Sequence, residues 1–272
     1  MPGGCLDYLM PRAHLCLTFD NMGNAKSVFD GHAGGPDDRE PSLAVGYPRL
    51  LALLEDLDLH ATFFIEGWNA VHHPDRVVEL AQRGHEVALH GWMHEPFAGV
   101  SRDEAADAIH KGIRAFARLG LAALGFRAPG GERGPYAEAI LAGLGFAYDS
   151  SAGEGGGPAP VGTFALEAAM LPSGLAHVPW HEGLVDSIQY LRTNPAPSPR
   201  ELQARWIRAV DSIAEAGSST TLVAHAYVSG VDDDRFAALA NVLRHARRRG
   251  DIAFCTAGAW AARVRNQSAR GV

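Results

Sequence analysis

The chain alternates short apolar runs with longer amphipathic segments, and five of the runs end on a polar residue that can take part in catalysis. These residues are Asp20, His90, Arg127, Asp149 and His225. Most of the runs are apolar nearly throughout, as expected for strands buried on both faces of a parallel sheet. Because the carboxyl ends of such strands lie on one face of an α/β barrel, we expect the five residues to meet there. The pattern favours an enzyme over chance placement.

The order of the segments predicts a distorted (β/α) barrel of about seven strands. An open, doubly wound sheet is the alternative, but no G-x-G-x-x-G follows the first strand. Ser101 and Glu104 predict a capping box at a helix start. LAVGYPRLLALLEDL predicts a helix despite Pro48, GEGGGPAPVG predicts a loop, and HVPW predicts a strand. A chain of 272 residues fits one barrel domain at 14–264, between an extension at 1–13 and a tail at 265–272.

Charge and cysteine content exclude several classes of protein. The net charge of −7 argues against a nucleic-acid binder, which needs a concentrated basic face. Cys5, Cys16 and Cys255 are an odd number, and the last two lie in strand-like runs, which predicts reduced packing residues. The amino-terminal segment lacks a basic region followed by an apolar one, and no run of about 18 apolar residues occurs. We therefore expect a cytoplasmic protein without a membrane partner; a homo-oligomer stays open.

Two histidine pairs have the four-residue spacing of metal ligands. Roughly 0.6 such pairs are expected by chance among 13 histidines, so position must decide. His90 and His94 follow a predicted strand, where a turn can bring both rings to the barrel mouth. His177 and His181 straddle Pro179 in an extended segment. The first pair is therefore the candidate metal site.

Three other residues at strand ends suit proton transfer or its support. Asp20 suits a general base or a metal ligand, with a loop cap as the alternative. Arg127 stands before a rigid Ala-Pro-Gly turn and suits pairing with a carboxylate, with a structural salt bridge as the alternative. His225 suits a general acid because the pKa of histidine lies near neutrality, although a single histidine at a strand end is more often structural.

Together these motifs resemble those of a known family. Thr18-Phe19-Asp20, His90-x-x-x-His94, Arg127-x-Pro129-Gly130 and Leu222-x-x-His225 stand in the order and spacing of the polysaccharide deacetylase family, also called NodB-homology or carbohydrate esterase 4. The resemblance spans about residues 14 to 262. It implies a distorted barrel and metal-dependent hydrolysis of an amide, usually an N-acetyl group on an amino sugar.

The resemblance also implies a role for each matching residue. Asp20 would take a proton from water, Arg127 would orient Asp20, and His225 would protonate the departing amine. His90 and His94 would bind a divalent metal, with zinc expected first and cobalt or nickel as alternatives.

Asn21 departs from the family pattern, which usually has a second aspartate here as the third metal ligand. A neutral amide oxygen is a poorer ligand for Zn²⁺ than a carboxylate. The site is therefore expected to bind metal more weakly, to favour another ion, or to use water in place of this ligand.

Other residues point to the substrate. Asp149, in Tyr-Asp-Ser-Ser, resembles a stretch of the allantoinase-like and small-substrate branches of the family, where it would line the site or orient His225. The lack of a leader and the Gly31–Pro41 insertion favour the same intracellular branch. An aromatic-rimmed substrate pocket is predicted from residues near strand ends, with packing as the alternative: Glu66, Trp68, Trp92 and Trp180.

Three functional hypotheses follow. The first is a hydrolase that removes an acetyl or formyl group from a small N-acylated substrate, such as an amino-sugar-containing metabolite. The second is a hydrolase that opens a cyclic ureide or imide, without a strict need for metal. The third, prompted by Asn21, is a non-catalytic ligand-binding protein, against which the joint presence of Asp20, Arg127 and His225 argues.

Overall fold

The strands of the barrel end where the sequence turns polar. A computed structural model describes residues 13–152 and 164–270. The strands that it describes are β1 (Ala13–Asp20), β2 (Thr62–Ile65), β3 (Glu86–Leu89), β4 (Gly125–Phe126), β5 (Tyr148–Asp149), β6 (Ala169–Met170), β7 (Ala176–His177), β8 (Ser219–His225) and β9 (Ile252–Cys255). β1 and β8 each finish on a residue that was predicted to be catalytic.

Helices follow most of the strands and cover the outside of the sheet. They are α1 (Ala25–Phe29), α2 (Tyr47–Asp56), α3 (Gly67–His72), α4 (Pro74–Gln82), α5 (Arg102–Arg118), α6 (Ala137–Gly143), α7 (Asp186–Leu191), α8 (Pro199–Ala216), α9 (Asp233–Arg249) and α10 (Ala257–Arg270). The Ser101–Glu104 capping box is present at the start of α5 and satisfies backbone N–H groups there. Pro48 is the second residue of α2, and the π-helical turn Ser42–Gly46 leads directly into this helix, so the predicted segment is helical on both sides of the proline.

The strands form one strongly curved sheet in the order β6-β7-β5-β4-β3-β2-β1-β8. β8 pairs with β1 along its length, whereas the other edge of β1 pairs with β9 at its start and with β2 at its end. Isolated bridges join Leu166 to Ser219 and Val185 to Val223, so they bring the far side of the sheet towards β8. The predicted distorted (β/α) barrel is confirmed.

The strand count differs from the prediction in a minor way. Nine strands are described rather than about seven, and the one that corresponds to no predicted segment is β6, an antiparallel partner of β7. β6 was missed because it lies at the edge of the sheet with its two residues exposed or half-buried, so no buried apolar run marks it. The single-domain division at 14–264 stays a prediction, and α10 continues to Arg270. Both Cys5 and the GEGGGPAPVG segment lie outside the described residues.

The amino-terminal end of the barrel is closed by α10. Side chains from the barrel interior, including Phe64 and Tyr148, pack with Trp260 and Val264 of this helix. The first N–H groups of α10 donate to Thr62 Oγ1 (2.8 Å) and Glu86 Oε2 (2.9 Å), at the starts of β2 and β3. Only the carboxyl-terminal end of the barrel is therefore left for a site.

The described cysteines agree with the predicted packing role. Cys16 and Cys255 lie opposite each other on β1 and β9, and both are buried and free of disulfide bonds. No helix within the described ranges is both long and apolar enough to cross a membrane.

Candidate active site

All six residues predicted to act in catalysis or metal binding line one cavity at the carboxyl ends of the strands, which we call the site cavity. They are Asp20, Asn21, His90, His94, Arg127 and His225. The register pairs the Cα atoms of Asp20 and His225 on adjacent strands, which brings residues about two hundred positions apart to the same level of the barrel.

Arg127 holds Asp20 in place from the barrel interior. Its Nη1 donates to Asp20 Oδ1 (2.7 Å) and to Thr18 Oγ1 (2.9 Å). Its Nη2 donates to Ser150 Oγ (2.8 Å), and its guanidinium lies 4.1 Å from the centre of the Phe64 ring. Asp20 Oδ2 has no hydrogen-bond donor within the described part of the chain, so one carboxylate oxygen is fixed and the other stays available for a proton.

The ring of His90 is oriented by the main chain of Arg127. His90 Nδ1 donates to the Arg127 carbonyl oxygen (2.8 Å), which assigns the proton to Nδ1 and leaves Nε2 with its lone pair. Burial lowers the pKa of His90 to about 3, and it lowers that of His94 to about 3 as well. Both imidazoles are therefore neutral at pH 7, the form that binds a metal.

His94 reaches the site cavity from a tight turn after β3, in agreement with the turn expected there from its position. Its φ is 69°, in the left-handed region that costs a residue with a Cβ free energy. The Glu95 carboxylate stabilises the turn by accepting from the N–H groups of Trp92 (2.7 Å) and Met93 (2.6 Å). The ring centres of His90 and His94 are 5.2 Å apart.

Asn21 also has a left-handed backbone, with φ of 64°. Its Nδ2 donates to Glu66 Oε1 (2.7 Å), and its carbonyl oxygen accepts from the Tyr47 hydroxyl (2.8 Å). No described group donates to Asn21 Oδ1. Of the three non-glycine residues with positive φ in the described ranges, two are the candidate ligands Asn21 and His94, so the surrounding structure holds this strain at the site.

The donor set fits a divalent metal, with one weak member. Two imidazoles bound to one tetrahedral ion have ring centres roughly 5 Å apart, in agreement with the observed separation of His90 and His94. Within 13–152 and 164–270, no group of three His, Cys, Asp or Glu residues could hold an ion. The third candidate ligand is the amide of Asn21. The residues therefore offer two imidazole nitrogens and one neutral oxygen.

Asp186 is the functional residue that the sequence reasoning missed. It is fully buried at the start of α7, and His225 Nδ1 donates to its Oδ1 (2.6 Å). Its Oδ2 accepts from the His225 main chain and from the Ser229 hydroxyl. The signal in the sequence was weak, because only two apolar residues, Leu184 and Val185, precede this carboxylate.

Asp186 makes the contact with His225 that was considered for Asp149. The Asp149 side chain is fully buried beneath the site and pairs with Arg133 (2.8 Å). It accepts from the Ser151 hydroxyl, whose oxygen accepts from Ala128 N. Asp149 therefore neither lines the site cavity nor orients His225 but supports the turn after Arg127.

The predicted substrate-binding residues are only partly brought together. Trp180 lines the site cavity, with its indole N–H on the Ser150 carbonyl oxygen (2.9 Å). Trp92 lines a separate surface groove, and Trp68 is buried against His72. Glu66 is buried behind Asn21. The second histidine pair also lies apart: His177 is buried, its Nε2 bonded to the Ser151 carbonyl oxygen.

Comparison with known proteins identifies the family of the chain. A sequence model of the polysaccharide deacetylase family matches residues 10–148, about half of the chain. The chain belongs to the polysaccharide deacetylase family. This membership confirms the family predicted from the motifs and agrees with the predicted class, hydrolases of carbon–nitrogen bonds other than peptide bonds.

Individual relatives cover different parts of the chain. A peptidoglycan deacetylase of Helicobacter pylori is 32% identical over 125 residues, 44% of this chain and 43% of that protein. The chain thus matches less than half the length of that relative. The crystal structure of a candidate polysaccharide deacetylase from Mycobacterium smegmatis is similar over 98% of this chain and 96% of that one, at 25% identity and a TM-score of 0.79. Puue allantoinase has the same fold, covering 93% and 90% at 18% identity and a TM-score of 0.75.

Proposed function

We propose that this protein is a metal-dependent hydrolase that removes an acetyl or formyl group from a small N-acylated metabolite, such as one containing an amino sugar. The observation that carries the proposal is the pairing of Asp20 with Arg127 and of His225 with Asp186 around one cavity. Each proton-transfer group has its own buried partner. This is what a hydrolase needs in order to place a base and an acid around one amide bond.

In this proposal the chain's own residues carry the two proton transfers. Asp20 Oδ2 accepts a proton from the attacking water, while Arg127 keeps Oδ1 in place. His225 gives a proton to the nitrogen of the leaving amine, and Asp186 fixes the tautomer by occupying Nδ1. His90, His94 and Asn21 would hold a divalent ion, which would supply Lewis acidity when bound.

The walls of the site cavity support a compact substrate with one ring. Trp180 and Tyr227 contribute aromatic surface, Val185 and Ile188 contribute aliphatic surface, and the Tyr227 ring centre lies 5.2 Å from that of His225. In this proposal the substrate ring packs against these walls, with its acylamino group beside the proton-transfer residues.

Ring opening of a cyclic ureide or imide is the second candidate function. It is favoured by Asn21, which removes one negative ligand from the metal site, and the fold is shared with Puue allantoinase. The same base and acid serve both reactions, since both break an amide C–N bond. The two candidates differ in substrate and in metal requirement.

Metal content tests the ligand assignment directly. We expect the purified protein to hold about one equivalent of Zn²⁺, Co²⁺ or Ni²⁺ after incubation with the ion, and His94→Ala to hold almost none because an imidazole donor is lost. Elemental analysis of dialysed protein measures this. His177→Ala, from the pair that lies outside the site cavity, is the matched control and should keep its metal. Full metal content in His94→Ala would overturn the assignment.

A substrate panel separates the candidate functions. N-acetyl and N-formyl amino sugars and cyclic ureides are assayed with metal-loaded and chelator-treated protein. Metal-dependent release of acetate or formate supports the first function, whereas ring opening that survives the chelator supports the second. Tight binding of a compound without turnover, in metal-loaded and in chelator-treated protein, would support a non-catalytic ligand-binding protein. It would overturn both candidate functions.

Asp186→Asn is expected to move the alkaline limb of the pH–activity profile to lower pH. Burial lowers the pKa of His225, but the charge and hydrogen bond of Asp186 outweigh burial and raise it above 6.5. The protonated form therefore persists to a higher pH than in an ordinary histidine. Without the carboxylate, burial dominates and the acid is lost at lower pH.

Measurement of kcat/KM against pH for both proteins tests this expectation. Asp233→Asn, which neutralises an exposed carboxylate, should leave the profile unchanged. Coincident profiles for Asp186→Asn and the wild type would show that Asp186 does not set the acidity of His225.

A further inference from the structure

Glu66 is a buried carboxylate that has no cationic partner within the described residues. It is 1% exposed, directly after β2. Its Oε1 accepts from Asn21 Nδ2 (2.7 Å), and its Oε2 accepts from Met22 N (3.2 Å) and Asn69 Nδ2 (2.8 Å). All three donors are neutral groups, and the ion pairs of the described chain do not include this residue.

A carboxylate in such a place needs an explanation. Burying a charge costs several kcal/mol unless an opposite charge compensates for it, and neutral hydrogen bonds recover only part of that cost. The other carboxylates of the site have such partners: Asp20 pairs with Arg127, and Asp186 pairs with His225. Burial accordingly raises the pKa of Glu66 to about 7, while the hydrogen bonds from Met22, Asn21 and Asn69 favour its ionised form. A cation bound in the site cavity, one hydrogen bond away, would favour the ionised form further.

The hydrogen bond to Glu66 also decides which way the Asn21 amide faces. An ionised carboxylate only accepts hydrogen bonds, so it selects the NH₂ group of Asn21 and turns Oδ1 in the opposite direction. Asn21 lines the site cavity beside His90 and His94, and no described donor occupies its Oδ1. The amide oxygen is thus held ready for a positive ligand.

We propose that Glu66 is a positioning residue for the metal site, which fixes the Asn21 oxygen towards the cavity and supplies through Asn21 the negative charge that a ligating aspartate would have carried. This inference rests on the proposed function. In this proposal Asn21 supplies the ligating oxygen and Glu66 supplies the negative charge. Together the two side chains replace one carboxylate ligand. Outer-shell partners of this kind orient ligands and raise their basicity.

Glu66→Gln tests the proposal through metal affinity, without any assay of turnover. The variant removes the charge and presents an NH₂ group, so the Asn21 amide is free to turn its oxygen away from the cavity. Titration of metal-free protein with Zn²⁺, in competition with a chromophoric chelator, should show affinity about 10- to 100-fold weaker than the wild type. Co²⁺ absorption spectra should change as well, because the ligand field changes.

Glu86→Gln is the matched control. Glu86 likewise accepts from three neutral groups, Tyr148 OH, Thr62 Oγ1 and Gly258 N, but it lies at the opposite end of the barrel. Glu86→Gln changes the net charge of the protein by the same amount as Glu66→Gln. We expect its Zn²⁺ affinity to stay within two- to threefold of the wild type.

A charge exchange separates this role from a merely structural one. In Asn21→Asp with Glu66→Gln, the carboxylate moves to the ligand position and the amide moves behind it, so the hydrogen bond is kept with its direction reversed. We expect the double variant to recover the Zn²⁺ affinity that Glu66→Gln loses. Asn21→Asp alone places two carboxylates at hydrogen-bond distance and should recover less.

Each outcome decides the proposal. Weaker Zn²⁺ binding in Glu66→Gln with recovery in the double variant supports it. Wild-type affinity in Glu66→Gln overturns it and leaves the proposed function standing, whereas a wild-type protein that binds no metal overturns both. Should Glu66→Gln fail to fold, Glu66→Asp keeps the charge but withdraws it from Asn21, and unchanged affinity in that variant would also overturn the proposal.

Discussion

Asp20→Asn is expected to lower kcat by about 10²- to 10⁴-fold, the usual contribution of a general base. The amide is nearly isosteric with the carboxylate, and its oxygen can still accept from Arg127 Nη1, which now donates to Asp20 Oδ1 over 2.7 Å. What the variant lacks is an oxygen that can accept a proton from water. Turnover of the best N-acyl substrate from the panel, at saturating concentration, measures the effect.

Metal content distinguishes the two roles considered for Asp20. If Asp20 acts as a base, Asp20→Asn keeps the metal content of the wild type while turnover falls. If metal and turnover are lost together, Asp20 is a ligand. Asp107→Asn, at an exposed carboxylate paired with Lys111 away from the site cavity, is the control and should be as active as the wild type. Turnover of Asp20→Asn within a few-fold of the wild type would exclude both roles.

Arg127→Ala is expected to lower the free energy of unfolding by about 3–5 kcal/mol, as in other buried ion pairs that lose one partner. Arg127 is 2% exposed and donates to Asp20, Thr18 and Ser150. The variant leaves these acceptors without their donor and opens a cavity against Phe64. Urea unfolding of the metal-free protein, followed by circular dichroism, measures the change.

Arg83→Ala is the control for the loss of an arginine. Arg83 pairs with Glu79 and Glu55 at the surface, with its side chain 40% exposed. Exposed ion pairs contribute at most about 1 kcal/mol, so this variant should unfold near the wild-type urea concentration. Equal losses in the two variants would show that the Arg127 network adds nothing beyond a surface pair.

Asn21 and His94 show how the site departs from local preference. Both residues have a backbone that a glycine would adopt at lower cost. The partners that hold them, Glu66 for Asn21 and the Glu95-stabilised turn for His94, come from the β2 and β3 ends of the barrel. The strain is therefore maintained by the same scaffold that positions the imidazoles.

The sequence by itself determined the barrel and placed Asp20, His90, Arg127 and His225 at its carboxyl-terminal end, whereas Asn21 and His94 were found from the motifs. Apolar runs buried in a parallel sheet must end at one face, so a polar residue after each run, such as Asp20 or His90, is placed there by the alternation alone. The edge strand β6 is not buried and follows no such run, so it could not be found in this way.

Only the tertiary structure decided which partner each site residue has. Asp186 lies 39 positions before His225, and Glu66 lies 45 positions after Asn21, so neither pairing leaves a local pattern in the chain. Asp149 and Glu66 also follow apolar runs, yet both are buried behind the cavity instead of lining it. The physical reason is that a hydrogen bond needs a distance of about 3 Å between donor and acceptor, and the packing of whole helices and strands sets that distance. The periodicity of the sequence predicts only the face of the barrel at which a residue lies.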